Sequence, residues 1–121
     1  MTGIHHIALR VRDCEASARF YEGGFGLSEI RRISADGQAK AVWLRAGDTV
    51  LMLERALRGT GPAQGSGHVL IFKVKDLVAA EEAFKERGIA IMDRTTNTLY
   101  VEDPDGHRSG VSIFSFDERG S

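Results

Sequence analysis

One cysteine, two prolines, one tryptophan and two tyrosines are all that the 121 residues hold of these types. With Cys14 alone no internal disulfide can form, and a reducing, cytoplasmic setting is the expectation. The thiol itself reads as buried or incidental rather than as a nucleophile. No apolar run approaches the length of a membrane span, and the opening residues lack a basic n-region followed by an apolar h-region. Neither a membrane nor a secretory leader is therefore expected. An excess of one charge is lacking too: 16 Lys and Arg face 17 Asp and Glu, interspersed, for a formal net charge of −1. That balance gives no reason to expect nucleic acid or an anionic membrane as a partner.

What is there is an ordinary globular composition, 42% apolar and 27% charged. It suffices for one compact domain, or for two small modules that share a core. In "HHIALRVRD", Ile7, Leu9 and Val11 alternate with His6, Ala8 and Arg10, the period of a half-buried strand. Asp13 is a plausible N-cap, and "CEASARFYEGG" spaces Ala16 and Phe20 helically before a stop at Gly23 and Gly24. Strand-like "LSEIRRIS" and "KAVWLRA" follow, then a turn at Ala46, Gly47 and Asp48 into "TVLMLER". The second half repeats this order. "HVLIFKVKD" alternates Leu70, Phe72 and Val74 with Val69, Ile71 and Lys73. Asp76 caps "LVAAEEAFKER", with Leu77, Ala80 and Phe84 on one face and Gly88 at the end. Strands are expected in "IAIMDR", in "TLYVE", and after the turn Asp103-Pro104-Asp105-Gly106, the last running through Phe114.

The expectation is an α+β chain in which two βαβββ modules, residues 1–55 and 67–116, form curved mixed sheets around a concave pocket. A Gly- and Pro-bearing linker, 56–66, divides the modules, and 117–121 is a tail. A four-stranded sheet with one helix behind it leaves a face uncovered, so function should lie opposite the helices. In "HHIALRVRD", "SARFYEGGFGL", "GDTVLMLE", "FKVKDLVAAEEAFKERGI" and above all "VEDPDGHR", the chain resembles the vicinal oxygen chelate superfamily. Glyoxalase I, bleomycin resistance proteins, extradiol dioxygenases and fosfomycin resistance enzymes belong to that superfamily. The likeness spans nearly the whole chain; it specifies the scaffold and leaves the activity open.

Metal-binding members draw one ligand from the first strand of each half and, usually, one carboxylate from its last. Such donors leave open positions where two adjacent substrate oxygens can chelate the ion. His6, five residues before Val11, fills the first position, with a strand-end imidazole bonded to backbone as the alternative; His5 has the opposite parity. The matching place in the second half is Val69, while His68 matches His5 and comes inward only through a bulge near Gly65 and Gly67. Glu54 is either the first carboxylate, and with it a possible base, or a rim residue, since Met52 also fits the slot. The final acid, four positions past Gly106, is replaced by Gly110. His107, Asp103 and Asp105 read as turn residues.

The concave parity further collects Arg10, Trp43, Met52, Ile71, Lys73, Tyr100 and Ser112, with Ala8 and Phe114, a lining suited to a small organic molecule. Arg10 and Lys73, which match each other in the repeat, either flank an anionic group or are solvated strand ends, and Trp43 is a stacking platform or a core residue. The preferred reading is a small-molecule-binding protein with a degenerate metal site and no cofactor, sequestering an organic ligand. The alternative is a glyoxalase-like lyase or isomerase, or a dioxygenase, using His6, Glu54 and His68 around a divalent ion (Zn, Ni, Mn or Fe). A third is a dimer with only a structural or regulatory role. The resemblance also implies a homodimer.

Overall fold

A computed structural model describes residues 3–56 and 68–116. These form two compact units, one in each range. The expected linker after Ala56 and the tail 117–121 lie outside the described residues, as do Gly65 and Gly67. The first unit runs β1 (Ile7–Arg10), α1 (Cys14–Phe25), β2 (Ser28–Ala35), β3 (Gln38–Ala46), β4 (Thr49–Glu54), in sheet order β1-β4-β3-β2. The second runs β5 (Val69–Lys73), α2 (Leu77–Glu86), β6 (Asp93–Arg94), β7 (Thr98–Glu102), β8 (Arg108–Ser112), in order β5-β8-β7-β6. In each the first strand lies parallel to the last, a pairing that needs a crossover, and the remaining pairs are antiparallel. The sequence repeat is thus a repeat of topology, in two mixed sheets.

Burial follows the alternation. Val42, Leu44, Leu51 and Leu53 are each no more than 2% exposed, and α1 packs against β3 and β4. Its buried face is Cys14, Ser17, Ala18 and Tyr21, one stripe at helical spacing. Ala16 and Phe20, the pair the sequence pointed to, are only half-buried beside it. In the second unit Phe84 of α2 is fully buried, as are Leu99 and Val101 of β7 and Val111 of β8. Both predicted caps are present. Asp13 accepts from the Ala16 N–H at 3.1 Å, and Asp76 from those of Val78 and Ala79 at 2.9 and 3.2 Å.

Several boundaries differ from the sequence expectation. The first helix continues through Gly23 and Gly24 to Phe25, and the stop is Gly26. There φ is +73°, which costs glycine nothing, and the Gly26 N–H returns to the Glu22 carbonyl at 2.9 Å. Of "IAIMDR" only Asp93–Arg94 is strand, a short edge of the kind that resists further pairing. The last strand ends at Ser112 rather than Phe114. The Ser112 hydroxyl accepts from the Phe114 N–H at 3.1 Å, and the Ile113 N–H turns to the Asn97 carbonyl at 3.0 Å.

Candidate functional site

Strand register builds the open face of the first sheet. Ala8 lies opposite Met52, Met52 opposite Trp43, and Trp43 opposite Arg31, a row across all four strands. On one side, Arg10 pairs with Glu54, Glu54 with Ala41, and Ala41 with Ile33. On the other, Val50 pairs with Arg45 and Arg45 with Ser28. Arg10, Trp43, Met52 and Glu54, assigned to one parity from sequence, are therefore neighbours on one face, and all four are half-buried. Arg31 was missed. Adjacent arginines in "IRRIS" must point to opposite faces, but the register shifts between Glu29 and Arg31 and hides which is which. Arg32 takes the helix side, where it bonds Glu15 and Glu29. Arg31 takes the open side, its guanidinium 5.2 Å from the Trp43 ring centroid. Arg45, two residues beyond Trp43 on the same strand, shares its parity and belongs to this face as well.

The second sheet's open face is built likewise. Ile71 pairs with Gly110, Gly110 with Tyr100, and Tyr100 with Asp93. Lys73 pairs with Ser112 and Ser112 with Thr98, whose hydroxyl donates to Ser112 Oγ at 2.8 Å. Ile71 and Val69 are 42% and 44% exposed. The Arg108 guanidinium sits 4.8 Å from the Tyr100 ring centroid and 3.4 Å from Asp93 Oδ2.

The expected metal donors stand as follows. His6 precedes β1, is exposed, and has its Nδ1 2.8 Å from that of His5. Glu54 lies opposite Arg10 in the parallel pair of β1 and β4. His68 is exposed, one residue ahead of β5, whose register with β8 runs unbroken from Val69 to Lys73. Among the described residues no three His, Cys, Asp or Glu side chains are grouped so as to hold an ion. Gly110 is more than a missing donor. A Cβ there would lie 2.4 Å from the Leu99 carbonyl oxygen and 3.1 Å from Ile71 Cδ1. Any side chain here, a carboxylate included, would require the β7 backbone to shift. With Val69 and Gly110 at two of the four positions, the residues present do not fit the four-donor set.

His107 and Asp103 do what turn residues do. The Asp103 carboxylate, 6% exposed, accepts from the backbone N–H groups of Asp105 and His107 at 2.9 and 2.8 Å, and Gly106 takes φ +84°. At the start of α1 a cleft of about 510 Å³ is lined by Arg12, Glu15, Arg32, Gln38 and Arg55, among others. Its cations already have partners: Arg32 bonds two glutamates and Arg55 donates to Gln38 at 2.9 Å. Cys14 also borders it, but burial pushes this thiol's pKa up, the wrong direction for a nucleophile.

Known proteins agree with this architecture. The family model of the glyoxalase/bleomycin resistance protein/dioxygenase superfamily matches residues 3–110. The fosfomycin resistance protein FosX from Mesorhizobium loti is similar over 98% of this chain and 97% of its own, at 21% identity and TM-score 0.76. The antibiotic-binding protein TnmS3 from Streptomyces sp. CB03234 is similar over 93% and 95%, at 20% identity and TM-score 0.73. A FosX from Listeria monocytogenes, complexed with Mn(II) and 1S,2S-dihydroxypropylphosphonic acid, covers 98% of each chain at 17% identity and TM-score 0.79. No curated protein sequence matches.

Proposed function

Since the chain belongs to the glyoxalase/bleomycin resistance protein/dioxygenase superfamily, we propose that it binds a small organic molecule on its open sheet faces and holds it without turnover. The observation that carries this reading is Gly110. The metal-using members that the chain resembles usually carry a carboxylate at that place, and here a Cβ would lie 2.4 Å from the Leu99 carbonyl oxygen. Losing a carboxylate weakens a hard-cation site most, because charge supplies much of its affinity. What the faces keep is an apolar and aromatic lining with a few cations: Met52, Trp43 and Arg31 in one unit, Ile71, Tyr100 and Lys73 in the other. Such a lining suits capture of an organic ligand with polar handles. An antibiotic-binding protein of similar fold supports the same reading.

The function is tested by a thermal-shift screen with antibiotics, aromatic acids and thiol conjugates, since a ligand of the folded state raises its melting temperature. A stabilising compound recovered unchanged after long incubation is the expected result. Stoichiometric divalent metal in purified protein, lost in His6→Ala or Glu54→Gln, would overturn the reading in favour of metal-dependent catalysis. The same reading takes a homodimer in the cytoplasm; sedimentation equilibrium and cell fractionation check these.

A further inference from the structure

We propose that the open face of the first sheet selects planar aromatic acids, with Trp43 as the stacking surface and Arg31 and Arg45 as the groups that hold the acid. This rests on the binding reading above and names its ligand class. Register sets Arg31 directly across from Trp43, and Arg45 follows Trp43 by two residues on the same strand and face. Arg31 lies over the indole at 5.2 Å. No carboxylate among the described residues bonds or ion-pairs with either arginine. Glu54, the acid on this face, lies opposite Arg10 instead.

Comparison with the second unit sharpens the point. There Arg108 also lies over an aromatic ring, that of Tyr100, but Asp93 stands 3.4 Å from its guanidinium. Nearby, Arg32 is bonded by both Glu15 and Glu29. Among the described residues, those arginines are thus matched with acids, and the two beside the single tryptophan are not. A guanidinium presents paired N–H groups in the geometry of a carboxylate, and an indole offers the largest side-chain surface for a flat ring. Met52 and Ala8 extend the row as an apolar floor. A ligand with a ring and an acid group one bond apart engages both features at once.

Because Trp43 is the only tryptophan, its fluorescence reports on this face alone. The probe is 4-nitrobenzoate, with 4-nitrobenzamide as the neutral isostere and cyclohexanecarboxylate as the acid without an aromatic ring. Saturable quenching by nitrobenzoate is expected, at least about tenfold tighter than by the amide, the ratio for loss of one charge-assisted bond of roughly 1.4 kcal/mol. Isothermal titration should show cyclohexanecarboxylate binding more weakly still. Arg31→Gln and Arg45→Gln should each weaken nitrobenzoate about tenfold and leave the amide unchanged; both side chains are exposed, so an unaltered melting temperature certifies the fold. If acid and amide bind equally, or both variants bind nitrobenzoate like the parent, this inference fails while small-molecule binding stands. If nitrobenzoate does not bind at all, the inference also fails, and the thermal-shift screen then decides the broader reading.

Discussion

Gly110→Ala should destabilise the protein, although glycine within a strand is ordinarily the weaker choice. Replacing such a glycine by alanine normally gains about 0.5–1 kcal/mol, because the unfolded chain loses freedom. Here the new Cβ would meet the Leu99 carbonyl oxygen at 2.4 Å and Ile71 Cδ1 at 3.1 Å, where ordinary contact begins near 3.4 Å. The first obstacle is backbone of β7, paired with β8 on both sides of this position, so relief means moving a strand by roughly 1 Å. Forcing an extra carbon into a packed site costs about 1–3 kcal/mol, and a backbone obstacle places this case at the upper end. The net loss is therefore about 2 kcal/mol, a fall in Tm of about 8 °C at roughly 4 °C per kcal/mol for a chain of this size. Scanning calorimetry with urea unfolding measures it. Ile71 touches the new Cβ, so adding Ile71→Ala relieves the side-chain part of the clash and leaves the backbone part: the double variant should lose less than the sum of the two single losses, by about 0.5 kcal/mol or more. A Gly110→Ala protein as stable as the parent would refute the reasoning, and with it the claim that a carboxylate here requires the backbone to shift.

Three further outcomes follow from local geometry. Asp103→Ala removes two charge-assisted bonds to the turn, at 2.9 and 2.8 Å, from a carboxylate only 6% exposed; urea unfolding should show a loss of about 3 kcal/mol, and a loss under about 1 kcal/mol would contradict the turn's role. Cys14, 1% exposed with its pKa raised by burial, should react with a disulfide reagent slowly in the native protein and at once in denaturing urea; rapid native labelling at pH 8 would count against the packing of α1. The Arg32 guanidinium holds the Glu29 carboxyl below the usual carboxylate range. Its contribution is therefore present above the unfolded carboxylate pKa and lost as pH falls through the folded value, so Glu29→Gln should be the less stable protein near neutrality and converge with the parent in acid.

Much of this molecule was legible in the chain because it depends on neighbours in sequence. The alternation of Leu51 and Leu53 with Val50, Met52 and Glu54 fixes two faces whatever lies beyond them. Asp13 and Asp76 cap their helices through bonds only two or three residues long. Even the helix stop was missed by only two residues, because three glycines compete for it and only the backbone conformation at Gly26 decides.

The site was legible up to the point where pairing enters. Parity alone puts Trp43 and Met52 on one face; that they are neighbours, and that Arg31 rather than Arg32 lies over the indole, comes from the pairing of strands. A register shift between Glu29 and Arg31 decides between the two arginines, and it exists only once β2 lies against β3. Gly110 shows the same division. Its lack of a donor is evident in the letters, whereas its lack of room belongs to the Leu99 carbonyl of the neighbouring strand. Period, caps and turns are set by bonds along the chain; which side chains meet across strands is set by packing, and no single segment contains it.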